Sequence, residues 1–166
     1  DGDIFSPRRS RAVPPTIEWP DVRVNATLDD HELMALQQLR MVSDTLAGTA
    51  GNLPCVRSNY GTGIMPSLFG AELFIMPEET NTLPTTRKIA AGLDGIRALI
   101  QRGVPDLRTG LGGRGLAMAE YFETLFARYP KVKRYVHQYH PDLQGPMDIC
   151  ELLWGSDLFV DIYDEP

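Results

Sequence analysis

A chain of 166 residues with a formal net charge of −6 and 43% hydrophobic residues has apolar content enough for one core. Its acidity argues against nucleic acid, whose phosphates need a basic stripe. The one basic cluster of the N-terminal half, Arg8-Arg9-Ser10-Arg11, lies beside Pro7, Pro14 and Pro15 as a solvated tail would.

No window reaches the apolar length of a membrane span, and no signal-peptide pattern opens the sequence. Cys55 and Cys150 are the two cysteines and have no metal-type spacing, so they are expected as reduced thiols in a cytoplasmic protein. The start at Asp1 without methionine and the end at Asp164-Glu165-Pro166, where a helix could begin, suggest a piece of a longer protein.

In chain order, residues 1–24 carry four prolines and little periodicity, which predicts an extended arm. A helix is expected from about Thr27, capped by that residue, with Leu33, Leu36, Leu39 and Val42 on one face and Gly48 and Gly51 ending it. Leu53–Ser58 and Glu72–Met76 read as strands, the second closed by Pro77. Ile89, Leu93, Ile96 and Ile100 recur at helical spacing before Gly103, placed as a C-cap. Leu116–Tyr129 is a second amphipathic stretch, stopped by Pro130. "KVKRYVHQY", residues 131–139, reads as a third strand, followed by helices from about Met147 to Trp154 and Asp157 to Tyr163.

Strands separated by helices indicate parallel βαβ units in an α/β fold. Three parallel strands leave sheet edges uncovered, and a complete (β/α)8 barrel needs about 250 residues. The pattern therefore predicts roughly the first half of such a barrel over 25–166, behind the proline-rich arm 1–24.

"GLGGRG", residues 110–115, has the spacing of a dinucleotide fingerprint, but no apolar strand precedes it; a flexible connector between two helices is expected instead. His137, His140 and Asp142 bring together metal-binding residue types. Side chains alternate along a strand, however, so His137 faces away from His140 and no metal site is assigned. Asp142 and Gln144, in "HPDLQGPMD", follow the carboxyl end of a predicted parallel strand, where barrels and open sheets bind ligands. Arg57, Asn59 and Tyr60 leave the first strand in the same sense, and Arg57 could hold a carboxylate bidentately. Glu72 opens the second strand, and facing the barrel mouth it would be a desolvated acid.

The stretches "PCVRSNYGTGIMPSLFGAE", "AELFIMPEE" and "HPDLQGPMDICELLWGSDLFVDIYDEP", in that order over 28–166, resemble the uroporphyrinogen decarboxylase superfamily, which includes the corrinoid-dependent methyltransferases. The resemblance implies a (β/α)8 barrel whose cleft takes a tetrapyrrole or a corrinoid-bound methyl group. It puts Glu72 and Asp142 in catalytic roles and Arg57, Asn59, Tyr60 and Gln144 in substrate binding.

Three positions depart from the decarboxylase pattern. Arg57 matches the first substrate-gripping arginine, but Gly61 stands where a second belongs. Glu72 replaces the aspartate that binds pyrrole N–H groups, and Leu152 replaces a tyrosine. The departures favour methyl transfer over decarboxylation. The methyltransferases' zinc ligands would belong to a C-terminal half, so no cofactor is expected within these residues. A non-catalytic binding module is the alternative; its strand edges would be closed by self-association into a homo-oligomer.

Overall fold

A computed structural model describes residues 12–48, 52–89 and 91–164 of the chain. The basic run Arg8–Arg11 and the helix-ending role of Gly51 lie outside the described residues. The fold mixes helices with two small sheets, and no closed barrel is present among the described residues. It divides into two compact units, Asp1–Arg57 with Ala119–Tyr139 and Ser58–Met118 with His140–Pro166.

In the first unit, the short helix α1 (Val24–Thr27) precedes the long helix α2 (His31–Ala47). The cap of α2 is Asp30, not Thr27. Asp30 has extended backbone (φ −131°, ψ 110°), which lets its carboxylate accept from the N–H groups of Glu32 at 2.8 Å and Leu33 at 3.1 Å. Thr27 is already helical within α1, and its hydroxyl turns back to the carbonyl of Val24 at 2.7 Å.

The described part of the arm runs antiparallel along α2. Val13 N–H donates to the Ala47 carbonyl, Gln37 Nε2 donates to the Val22 carbonyl, and Arg40 pairs with Asp21 at 2.7 Å.

Strand β1 (Cys55–Val56) is shorter than the expected 53–58. Its main-chain anchor is a buried amide: Gln38 Oε1, on a residue only 3% exposed, accepts from Arg57 N–H at 3.2 Å.

Helix α3 (Ile64–Leu68), strand β2 (Leu73–Phe74), strand β3 (Thr85–Thr86) and helix α4 (Gly92–Arg102) belong to the second unit. The β2 strand does not join a parallel sheet. It pairs antiparallel with β3, in the register Leu73↔Thr86 and Phe74↔Thr85. Thr85 and Thr86 stand ahead of the helical spacing that begins at Ile89. Two adjacent β-branched threonines prefer a pleated partner, and α4 starts only at Gly92. Helix α4 ends at Gly103, the C-cap expected there, with φ +75° and ψ −158°, a backbone that glycine adopts without a Cβ penalty.

Helix α5 (Gly110–Ala127) contains the whole of "GLGGRG", so that stretch is a helix start and not a flexible connector. Two contacts explain it. Ser67 Oγ accepts from Leu111 N–H at 2.9 Å, capping the helix from outside its own sequence. A side chain at Gly112 or Gly113 would collide with the carbonyls of Leu107 and Arg108, so the glycines allow the tight entry. The division between the two units falls inside α5, after Met118.

Residues 130–135 form helix α6 (Pro130–Tyr135) in place of the first part of the predicted third strand. Pro130 is suited to the first helical turn, where its missing N–H costs nothing, and Lys133 and Arg134 complement the carboxyl end of the helix dipole. The strand shrinks to β4 (His137–Gln138). It pairs with β1 in parallel, Cys55 opposite His137 and Val56 opposite Gln138. His137 N–H donates to the Pro54 carbonyl and Tyr139 N–H to the Val56 carbonyl.

Helices α7 (Pro146–Trp154) and α8 (Leu158–Asp164) close the second unit at close to the expected positions. Its core gathers Ala71, Ile96, Leu99 and Leu153, with Phe69, Ile89, Ile149 and Trp154 packed against them. Trp154 Nε1–H donates to Asp161 at 2.7 Å and ties α8 to α7.

Candidate functional site

The parallel pair sets the direction of the two segments in which ligand-binding groups are expected. Leaving β1, the chain passes Arg57, partly buried, then Ser58, Asn59 and Tyr60, which are 2%, 8% and 1% exposed. Within the second unit, Ser58 Oγ donates to the Gly115 carbonyl of α5 at 2.7 Å. One residue earlier on α5, the Arg114 guanidinium carbon lies 5.4 Å from the centre of the Tyr60 ring, within cation–π range.

Leaving β4, the chain passes His140 and reaches Asp142 and Gln144, both partly buried. These two predicted residues are in direct contact: Gln144 Nε2 donates to Asp142 Oδ1 at 3.0 Å. The turn that follows is held by Gly145 N–H donating to Asp148 Oδ2 at 3.1 Å. Asp148 therefore steadies the start of α7, leaving Asp142 outside that cap.

Glu72 has a different environment. It is exposed beside the β2–β3 hairpin, where its carbonyl accepts from Arg87 N–H at 2.9 Å. It is a solvated acid, unlike the desolvated one that a position at a barrel mouth would create. Across the same hairpin, Arg87 stacks over the Phe74 ring at 4.5 Å.

Gly61 is fixed by packing. Its φ is +72°, and a Cβ there would stand 2.5 Å from the Pro84 carbonyl oxygen and 3.2 Å from Leu83 Cβ. Any side chain at this position is strained twice over, by the backbone and by its neighbour.

No three His, Cys, Asp or Glu side chains gather as metal ligands would among the described residues. His137 and His140 are exposed, and Cys55 and Cys150 are exposed free thiols. No helix of the described residues is long and apolar enough to cross a membrane.

Two features escaped the sequence. Arg114 lay inside a glycine pattern and carried no periodic signal; only the fold sets it beside Tyr60. The first unit also holds an apolar groove of about 910 Å³, lined by Trp19, Leu36, Leu39, Leu125, Tyr129 and Val136 among others. It depends on the arm lying along α2, which no local pattern announces. Compared with protein-family models, curated proteins and solved structures, the chain finds no match.

Proposed function

We propose that this chain supplies part of a (β/α)8 barrel of the uroporphyrinogen decarboxylase superfamily, acting on a tetrapyrrole or corrinoid-linked substrate, with methyl transfer as its chemistry. The observation that carries the proposal is the parallel register of β1 and β4. Parallel strands joined through helices are the building unit of such barrels, and ligands bind beyond their carboxyl ends. Here those ends lead into Arg57, Asn59 and Tyr60 on one side and Asp142 and Gln144 on the other. In this reading Asp142 and Glu72 take the catalytic roles, and the remaining residues orient the substrate.

The preference for methyl transfer comes from Gly61 and Leu152. A polycarboxylate substrate needs several cations, and residue 61 has no room for one. Leu152, on α7, has no hydroxyl to offer a developing charge. Methyl transfer from a corrinoid to a thiolate makes neither demand of these positions.

The test uses the full-length protein with methylcobalamin and a small thiol, following the absorbance change as the cobalt–methyl bond is broken. Demethylation that needs both protein and thiol supports the reading. An unchanged spectrum, with uroporphyrinogen instead converted to coproporphyrinogen at about 1 s⁻¹ or faster, would assign the decarboxylase chemistry. No turnover in either assay would leave a binding module.

A further inference from the structure

We infer that the apolar groove of the first unit binds a long-chain carboxylate, its tail lying along α2 and its head meeting Arg128. The inference stands apart from the reading above, since every lining residue falls within 13–47 or 121–136 of the first unit. Three observations carry it. First, the groove holds about 910 Å³, within the roughly 300–1,000 Å³ of small-molecule sites. Its α2 wall runs from Glu32 to Ala47, roughly 22 Å at 1.5 Å per residue, a length that suits an extended chain.

Second, apolar surface is left uncovered along it. Val13 and Ile17 of the arm, Leu46 of α2 and Tyr129 all line the groove, and each is more than half exposed. A hydrocarbon tail lying there would remove that surface from water.

Third, the charges are placed for an anionic head. Arg128 lines the groove, is exposed, and its guanidinium has no hydrogen bond or ion pair among the described residues. Lys131, Lys133 and Arg134 follow it, and residues 124–141 contain no acid, in a chain of net charge −6. The lining's one acid, Glu32, enters beside the ring contact of His31 with Tyr121, at 5.7 Å. Arg128 stands seven residues past Tyr121, so the two charges mark different ends of this wall. The planar guanidinium matches a carboxylate with two parallel bonds. A second copy of the chain, docked on this face about a two-fold axis, would set the basic cluster against its own counterpart.

The test uses the full-length protein and three amphiphiles with one twelve-carbon tail: laurate, dodecanol and dodecyltrimethylammonium, followed by calorimetry. Laurate should bind about tenfold or more tighter than the cation, and about 50-fold or more tighter than octanoate, whose tail is four methylenes shorter. Arg128→Gln should weaken laurate by about fivefold and leave dodecanol within about twofold, a modest factor because the arginine is exposed. Arg102→Gln, an equal change of charge at an exposed position of α4, should stay within about twofold for both. Ser43→Trp puts a large ring into the groove from α2 and should weaken laurate and dodecanol alike, by about tenfold or more.

Thermal melts accompany every variant, and the head-group and chain-length ratios, read on the parent protein, decide if a variant does not fold. Equal binding of the three amphiphiles would overturn the carboxylate. Laurate binding that ignores Ser43→Trp would place the site elsewhere and overturn the groove. A parent protein that binds no laurate overturns the inference; if it is also a dimer that Ser43→Trp dissociates, the groove belongs to a second copy.

Discussion

The carbonyl oxygen of Pro84 stands 2.5 Å from the position a Cβ on Gly61 would take, and Gly61 holds a φ of +72°. The two facts compound, because a residue that tolerated the contact would still pay for the left-handed backbone. Gly61→Ala should therefore destabilise the fold by about 2–4 kcal/mol, read as a lower urea midpoint at unchanged slope. Gly61→Arg, which would add a long cationic side chain at the same point, should be worse and not better. A stable Gly61→Arg protein would show that the local backbone relaxes more freely than described.

Gln38 gives a second stability prediction. Its side-chain oxygen is the acceptor for the Arg57 N–H, and the residue is 3% exposed. Gln38→Leu has similar volume but leaves that N–H without this acceptor. The expected cost is about 1–3 kcal/mol, and the exchange protection of the Arg57 amide should fall with it. Full protection of that amide in Gln38→Leu would mean that another group replaces the acceptor.

How far the sequence announced these arrangements depends on the range of the interaction responsible. Helices α4, α7 and α8 were legible because their apolar spacing and their punctuation, Gly103 above all, are local. The parallel sense of β1 and β4 was legible from the intervening helices, although each strand is only two residues long. What was not legible depended on distant partners. Residues 130–135 alternate well enough for a strand, yet Pro130 and the basic last turn favour α6 once β4 needs only His137 and Gln138. "GLGGRG" became helix because Ser67, more than forty residues earlier in the chain, caps it. Of the site, Asp142 and Gln144 are bonded to each other within their own loop, Glu72 is exposed, and Arg114 reaches Tyr60 only through the packing of α5.

The two candidate caps of α2 can be separated. Asp30→Ala removes an acceptor from two main-chain N–H groups and should cost about 1 kcal/mol of stability. Asp30→Asn should restore most of it, since its amide oxygen can accept the same bonds. Thr27→Ser is the informative partner. It keeps the hydroxyl that bonds to Val24 and removes a methyl group from a fully buried residue, so its cost should come from packing and be about 1 kcal/mol. Helix content by circular dichroism, near the transition, should drop first in Asp30→Ala. The reverse order would return the cap to Thr27.

Glu72 and Asp142 test whether the proposed acids act on a ligand. Glu72 is exposed, and the hydrogen bond described for it is made by its carbonyl, so Glu72→Gln should leave stability within about 0.5 kcal/mol. Any large loss of turnover in that variant would then be chemical. If Glu72 and Asp142 share the work of moving a proton, Glu72→Gln and Asp142→Asn should each lower kcat by about 10²–10⁴, with little change in KM. The double variant should be little worse than the more damaged single one, because groups that act as a unit are not additive. Exposure makes Glu72 the more vulnerable half of the claim, since water competes for the place a substrate group would take beside it. Full activity in Glu72→Gln alongside an inactive Asp142→Asn would strip Glu72 of its role and leave Asp142, held by Gln144 at 3.0 Å, as the acting acid of the pair.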